Sequence, residues 1–88
     1  MPYYVYMIKT IGSSYSKSYV GYTNNITKRL KQHNDNKGAK STKGYNWKLV
    51  YKKRFLLKSN AMSYEYHLKK DTKKRKKILN NILNDLSN

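Results

Sequence analysis

Apolar and polar positions change their period several times along this chain. Tyr3 to Lys9 (YYVYMIK) is dense in β-branched and aromatic residues and predicts a strand, and Ser18 to Tyr22 (SYVGY) predicts a second. Ile11 to Lys17 between them carries Gly and Ser, the composition of a turn, so the pair is expected to form an antiparallel hairpin. Gly21 inside the second strand predicts a bulge or a close backbone approach. The period then lengthens. Ile26, Leu30 and His33 recur at helical spacing, which predicts a helix over Ile26–His33 capped by Thr23, Asn24 or Asn25. Arg29 and His33 are i, i+4 neighbours at the edge of its apolar face. Asn34 to Gly44 is polar and ends that helix. Trp47 to Phe55 predicts a third strand, with Trp47, Leu49 and Tyr51 on one side. Ser59 or Asn60 is the expected cap of a helix through Ala61–Leu68, and Asp71-Thr72 interrupts the pattern. Lys73–Leu86 predicts a last helix, with Ile78, Leu79, Ile82, Leu83 and Leu86 as its apolar stripe. No repeat or linker breaks this order. The expected fold class is α+β: a small three-stranded antiparallel sheet flanked by helices, β-β-α-β-α-α, forming one domain over residues 1–88.

Composition narrows the picture. A domain of this length buries only roughly 60–65% of its unfolded surface, so its core is small. Ten tyrosines against one Trp and one Phe mean that much of that core carries hydroxyls, which need water, backbone or phosphate. The absence of cysteine excludes disulfides and thiolate zinc sites. The N-terminus lacks the pattern of a signal peptide, and no apolar run approaches the length of a membrane span. The expected location is intracellular, cytoplasmic or nucleoid, with no membrane partner.

Charge changes the picture most. Twenty Lys and Arg face four Asp and Glu, for a net charge of +16, and such a chain attracts polyanions, phosphate backbones first. An AT-rich genome would by itself produce part of the lysine excess. It also gives weight to the three arginines, Arg29, Arg54 and Arg75, because an Arg in that background points to its planar fork. Glu65 is the only Glu, and it lies in an aromatic helical segment, Tyr64-Glu65-Tyr66. A carboxylate kept inside a phosphate-attracting surface suits Mg²⁺, which takes one or two protein carboxylates and fills its other positions with water and phosphate. That combination favours a nuclease over a passive DNA-binding protein. Each residue also has a plainer reading on its own. Glu65 could be a carboxylate paired with a lysine, Arg29 a solvated charge, Tyr6 and Tyr19 packing residues, and His33 a partner of the helix dipole.

Taken together, these pieces resemble the GIY-YIG nuclease domain. Tyr4-Val5-Tyr6 represents the first half of the family motif and Tyr19-Val20-Gly21 the second. The helix within Asn24–Asn34 is similar to the one that carries the family's arginine, here Arg29. His33 falls where the family has His or Tyr, and Glu65 falls on its metal-binding glutamate. The resemblance covers roughly residues 3 to 80. With Gly38-Ala39-Lys40-Ser41-Thr42 included, it is nearest to small standalone bacterial members and to the catalytic subunit of the eukaryotic endonuclease that cuts branched DNA. Tyr4 stands where the motif has Gly, and Tyr22 stands where excision-repair members have Lys. The eukaryotic relative's cysteine-rich zinc domain has no counterpart here.

The resemblance implies a metal-dependent DNA endonuclease using Mg²⁺ or Mn²⁺, and no zinc. Its catalytic set would be Tyr6, Tyr19, Arg29, His33 and Glu65, with Glu65 as the metal ligand. One tyrosine hydroxyl would orient or deprotonate water, and His33 would accept a proton or orient water near the metal. Arg29 would clamp a phosphate. Branched or flapped DNA in repair or recombination is the implied substrate, and 5′-phosphate and 3′-hydroxyl ends the implied products. Lys40, Lys43, Lys69, Lys70, Lys73 and Lys74 are candidate contacts to the DNA backbone, acting by counterion release and carrying no sequence information. His67 has no matching role and reads as surface or structural. Two alternatives remain: a basic nucleic-acid-binding module without chemistry, and a nuclease subunit that is inactive until a scaffold protein docks.

Overall fold

The computed structural model describes residues 1–12, 14 and 16–87, with side chains through Asn81. Ser13 and Tyr15 of the expected turn, and Ile82, Leu83 and Leu86 of the expected apolar stripe, lie outside these descriptions. The elements run β1 (Tyr3–Ile11), β2 (Ser18–Thr23), α1 (Ile26–Asn34), a 3₁₀ turn (Lys40–Thr42), β3 (Asn46–Phe55), α2 (Lys58–Lys70) and α3 (Thr72–Ser87). The expected order and class hold.

The sheet order is β2-β1-β3, antiparallel throughout. β1 is the central strand, and Val5, Tyr6, Met7 and Ile8 are all buried, because both of its faces are covered. Val5, Met7 and Val20 pack with Ala61 and Leu68 of α2, and Ile78 and Leu79 of α3 close on the same cluster. Tyr6, Ile8 and Trp47 point to the other face, where Tyr19, Leu30, Tyr45 and Leu49 surround them.

One expectation about β3 fails. Met7 pairs with Tyr51 while Ile8 pairs with Leu49, so Val50 is an extra residue in the strand. A one-residue insertion reverses the facing of everything beyond it. Trp47 and Leu49 therefore join the Tyr6 cluster, whereas Tyr51 packs on the opposite face. Gly21, for its part, serves close approach, and the sheet's irregularity falls in β3 instead.

The helix ends are a second point of comparison. Asn25 caps α1, its side-chain oxygen accepting the Lys28 N–H at 3.1 Å, and Thr23 Oγ1 accepts the Asn25 N–H at 3.1 Å. α2 instead starts at Lys58 with Leu57 in the cap position and no side-chain cap, which leaves Ser59 and Asn60 inside the first turn. That turn is exposed, so water can serve its free N–H groups. At the far end Asp71 closes α2 and opens α3: its N–H donates to His67 and Leu68, and its carboxylate accepts the Lys74 N–H at 3.0 Å. Arg75 reaches back from α3 to donate to the Leu68 carbonyl at 2.8 Å and to the Lys69 carbonyl. Nη1 alone reaches both carbonyls that the end of α2 leaves free, while Nη2 donates to Thr72 Oγ1 at 3.3 Å.

Arg75→Lys is expected to lose this two-carbonyl contact and about 1–2 kcal/mol of stability by urea denaturation. Arg54→Lys, at an exposed position on β3, is the control and should change stability by less than about 0.5 kcal/mol.

Candidate active site

Antiparallel pairing sets Tyr6 opposite Gly21 and Ile8 opposite Tyr19, so the two tyrosines share the face that α1 covers. Their ring centroids are 6.4 Å apart. Gly21 has to be glycine: a Cβ there would stand 2.5 Å from the Tyr6 hydroxyl oxygen and 3.1 Å from the Tyr19 ring. The missing side chain lets Tyr6 lie across β2 toward α1.

His33 meets it there. The imidazole is wholly buried, with its centroid 5.8 Å from Tyr6 and 5.0 Å from Tyr19. Nε2 is 2.8 Å from the Tyr6 hydroxyl, and Nδ1 is 3.0 Å from Thr42 Oγ1. The loop after α1 folds over the ring. Gly38 passes so close that a Cβ would lie 2.4 Å from Nδ1. Thr42, also buried, donates its hydroxyl proton to the Ala39 carbonyl at 2.8 Å. The loop is pinned by Trp47, whose indole N–H donates to the Thr42 carbonyl at 2.9 Å. Asn34 in turn brackets Trp47, accepting its N–H at 2.6 Å and donating to its carbonyl at 3.2 Å.

Burial dictates the charge state of this group. It pushes the His33 pKa down to about 4, with the Arg29 charge adding to the effect, so the ring is neutral at physiological pH. Burial pushes Tyr6 up to about 12, against the opposing pull of a hydrogen bond from Arg29. The phenol and the imidazole are thus both neutral, and the ring tautomer decides which of them donates the hydrogen bond between them. At Arg29 burial works against the charge, but the Tyr6 and Tyr19 hydroxyls outweigh it and hold the guanidinium more firmly protonated. Arg29 Nη1 also donates to Gln32 at 3.1 Å.

Glu65 stands at the margin, on the helix that flanks β2. Its carboxylate is 16% exposed, pairs with Lys69 at 3.1 Å, and lies near enough to Tyr6 to oppose ionisation of the phenol. Lys69 also lies over the Tyr19 ring, 5.9 Å from its centroid. Tyr19 is half-buried and lines an open cleft of about 270 Å³ with Ser18, Val20, Lys69 and Arg75.

The five expected site residues therefore gather around the β2 edge, with His33 as the innermost of them. It has no exposed surface, and its two ring nitrogens meet Tyr6 and Thr42. Lys40, Lys43, Lys69, Lys70, Lys73 and Lys74 are exposed, as a backbone-contacting set requires. Lys70 donates to the Tyr66 hydroxyl, and Lys74 to that of Tyr64 at 2.7 Å. His67 is exposed against the edge of Tyr66. Thr42 and Gly38, which both touch His33, lie in the Gly38–Thr42 stretch on which the family resemblance partly rests, but nothing in the sequence marks either for a role.

Comparison with known proteins gives a consistent result. The GIY-YIG catalytic domain matches residues 2–78. The UPF0213 protein YazA of Bacillus subtilis is 42% identical over 77 residues, 86% of this chain and 75% of the relative. A UPF0213 protein of Clostridium perfringens is 46% identical over 74 residues, 83% of this chain and 76% of the relative. The solution NMR structure of a UPF0213 protein from Bacillus halodurans superposes with a TM-score of 0.51 at 34% identity, covering 93% of this chain and 85% of that one.

The buried neutral His33 gives a pH signature. Its folded pKa of about 4 lies below the ordinary 6.5, so between these values the unfolded chain binds more protons. The contribution is complete above about pH 6.5 and is lost as pH falls toward 4, at up to about 1.4 kcal/mol per pH unit. Urea denaturation at pH 6.5, 5.5 and 5.0 should show this slope in the wild type. His33→Gln should be flatter by that amount.

Proposed function

This chain belongs to the GIY-YIG catalytic-domain family, and on that premise we propose that it is a metal-dependent DNA endonuclease that hydrolyses phosphodiester bonds. The observation that carries the proposal is the gathering of Tyr6, Tyr19, Arg29, His33 and Glu65 around one edge strand. A site built only for packing has no use for a firmly charged guanidinium between two phenols.

The roles follow from position. Arg29 is a planar donor on the rim, suited to hold the scissile phosphate and to neutralise charge that grows in the transition state. Tyr19 faces the cleft, with Arg29 and Lys69 beside it, so its hydroxyl is the one that orients the attacking water. Tyr6 stays protonated and supports Arg29. His33 acts through Tyr6 and not on water.

Glu65 is the residue that would hold Mg²⁺ or Mn²⁺. Among the described residues no group of three His, Cys, Asp or Glu could form an all-protein cage. A single hard carboxylate on an accessible margin fits a cation that completes its shell with water and phosphate. The Lys69 ammonium already rests on that carboxylate, so the position accepts positive charge. An i, i+4 pair with a half-exposed lysine contributes only about 0.3–0.5 kcal/mol, too little to bar exchange for a divalent ion. When bound there, such a cation stabilises charge on the leaving oxygen.

Branched or flapped DNA, in repair or recombination, is the substrate the resemblance favours, and cleavage would leave 5′-phosphate and 3′-hydroxyl ends. The exposed lysines would hold the duplex through its phosphates. One observation favours a second reading. The Glu65–Lys69 pair is also what a purely structural carboxylate would make, as in a binding module without chemistry or a subunit awaiting a scaffold partner.

The deciding assay offers flap, fork, Holliday-junction and linear duplex DNA to the full chain with Mg²⁺, Mn²⁺ or EDTA. Cleavage is expected with either metal and not in EDTA. Glu65→Gln and Arg29→Lys should each lower the rate by about 10²-fold or more while changing DNA affinity only a few-fold. Full cutting by Glu65→Gln would sink the proposal, and binding without cutting in every condition would favour the second reading. Affinity should fall steeply with salt, and Lys73→Ala with Lys74→Ala should lower the slope of log K against log salt by about 1–2.

A further inference from the structure

The hydrogen bonds around His33 have a direction, and it can be read from one end to the other. Thr42 has a single hydroxyl proton, and that proton lies between Oγ1 and the Ala39 carbonyl oxygen, 2.8 Å apart. Were the proton turned elsewhere, two acceptor oxygens would face each other at that distance. With it spent on Ala39, Oγ1 can only accept from His33 Nδ1 at 3.0 Å. Nδ1 therefore carries the ring's hydrogen. In a neutral imidazole Nε2 is then the bare acceptor, and the Tyr6 hydroxyl donates to it across 2.8 Å. Because the phenolic proton is committed to His33, the remaining side of the Tyr6 oxygen presents a lone pair, and the neighbour there is the Arg29 guanidinium, a donor only.

We propose that Thr42 is a positioning residue for Arg29, acting through a chain of fixed polarity in which Thr42 selects the His33 tautomer and that tautomer makes Tyr6 an acceptor toward the guanidinium. The opposite tautomer would reverse every step. Nε2–H would donate to Tyr6, the phenolic proton would swing to the free side, and two donors would meet at Arg29. A guanidinium displaced by even an ångström no longer matches a phosphate. The inference rests on the reading of Arg29 as the phosphate clamp of a nuclease, although its first half concerns only His33.

The fold is built to keep the Thr42 end of the chain still. Gly38 leaves room for the ring, the 3₁₀ turn holds Thr42 over Ala39, and Trp47 fixes the Thr42 carbonyl. A loop whose only task was to connect α1 to β3 would not need a buried threonine hydroxyl.

The test begins with the tautomer, read on the full chain by long-range ¹H–¹⁵N correlation of the His33 ring at neutral pH. The expected wild-type ring carries its proton on Nδ1, and a proton found on Nε2 overturns the proposal without any variant. Thr42→Val, which keeps the shape and removes the acceptor, should shift the ring toward the Nε2–H form and move the Arg29 guanidinium resonances. It should also lower kcat for DNA cleavage at least tenfold at unchanged KM. Thr42→Ser, which restores the hydroxyl, should recover all three. If Thr42→Val keeps the Nδ1–H form, the Arg29 resonances and full kcat, the proposal falls. If the wild type cuts nothing, the nuclease reading fails by itself. The tautomer and the Arg29 resonances then still decide whether Thr42 governs the chain.

Discussion

A buried imidazole with both nitrogens bonded is the constraint around which the site is arranged. Putting a polar ring where water cannot reach is costly unless each nitrogen has a partner. Here the partners come from opposite directions in sequence, Tyr6 from the central strand and Thr42 from the loop beyond α1. Satisfying His33 thus ties the hairpin, the first helix and that loop into one unit. The two glycines follow from the same constraint, since Gly21 and Gly38 mark the places where the backbone must pass the Tyr6–His33 pair without a side chain. So does the clamp of Asn34 on Trp47, which holds the loop over the ring.

The charged parts of the site are arranged around this neutral centre. Arg29 and Glu65 lie at its margin, and Lys69 links the carboxylate to the Tyr19 ring. The inner groups have their protons fixed by burial, and the outer ones remain free to exchange partners with solvent, phosphate or cations. A single lysine pair at the partly buried Glu65 and a strongly held guanidinium at Arg29 are therefore not equivalent features. On the proposed function, the first would give way to a cation, while the second would be pre-oriented for a phosphate.

Much of this was legible in the sequence, for identifiable reasons. The strands and helices follow from period changes that local sterics enforce, and the five residues that the family motifs mark, Tyr6, Tyr19, Arg29, His33 and Glu65, lie together around one strand. What failed was non-local. The alternation of Trp47, Leu49 and Tyr51 is real in the sequence, but the extra residue at Val50 breaks it, and a bulge is set by packing on two faces at once. Ser59 and Asn60 are good capping residues that the helix overruns, because burying Ala61 and Leu68 decides where α2 lies. Thr42 carried no signal of its own. A threonine in a polar lysine-rich loop looks like solvent-facing surface, and only the fold shows that it lies beneath the loop against His33.

The bulge in β3 has a consequence beyond register. β3 is an edge strand, and an edge offers unpaired backbone groups to any second chain. Its outer stretch carries Lys52, Lys53 and Arg54, all exposed, and the bulge bends it just before them. Strand-to-strand self-association is thus opposed by both charge and shape while the chain is free in solution. The charge half of that protection is conditional. A polyanion that gathered many copies along its length would neutralise the same lysines and raise local concentration together, leaving the irregularity at Val50 as the remaining obstacle to edge pairing.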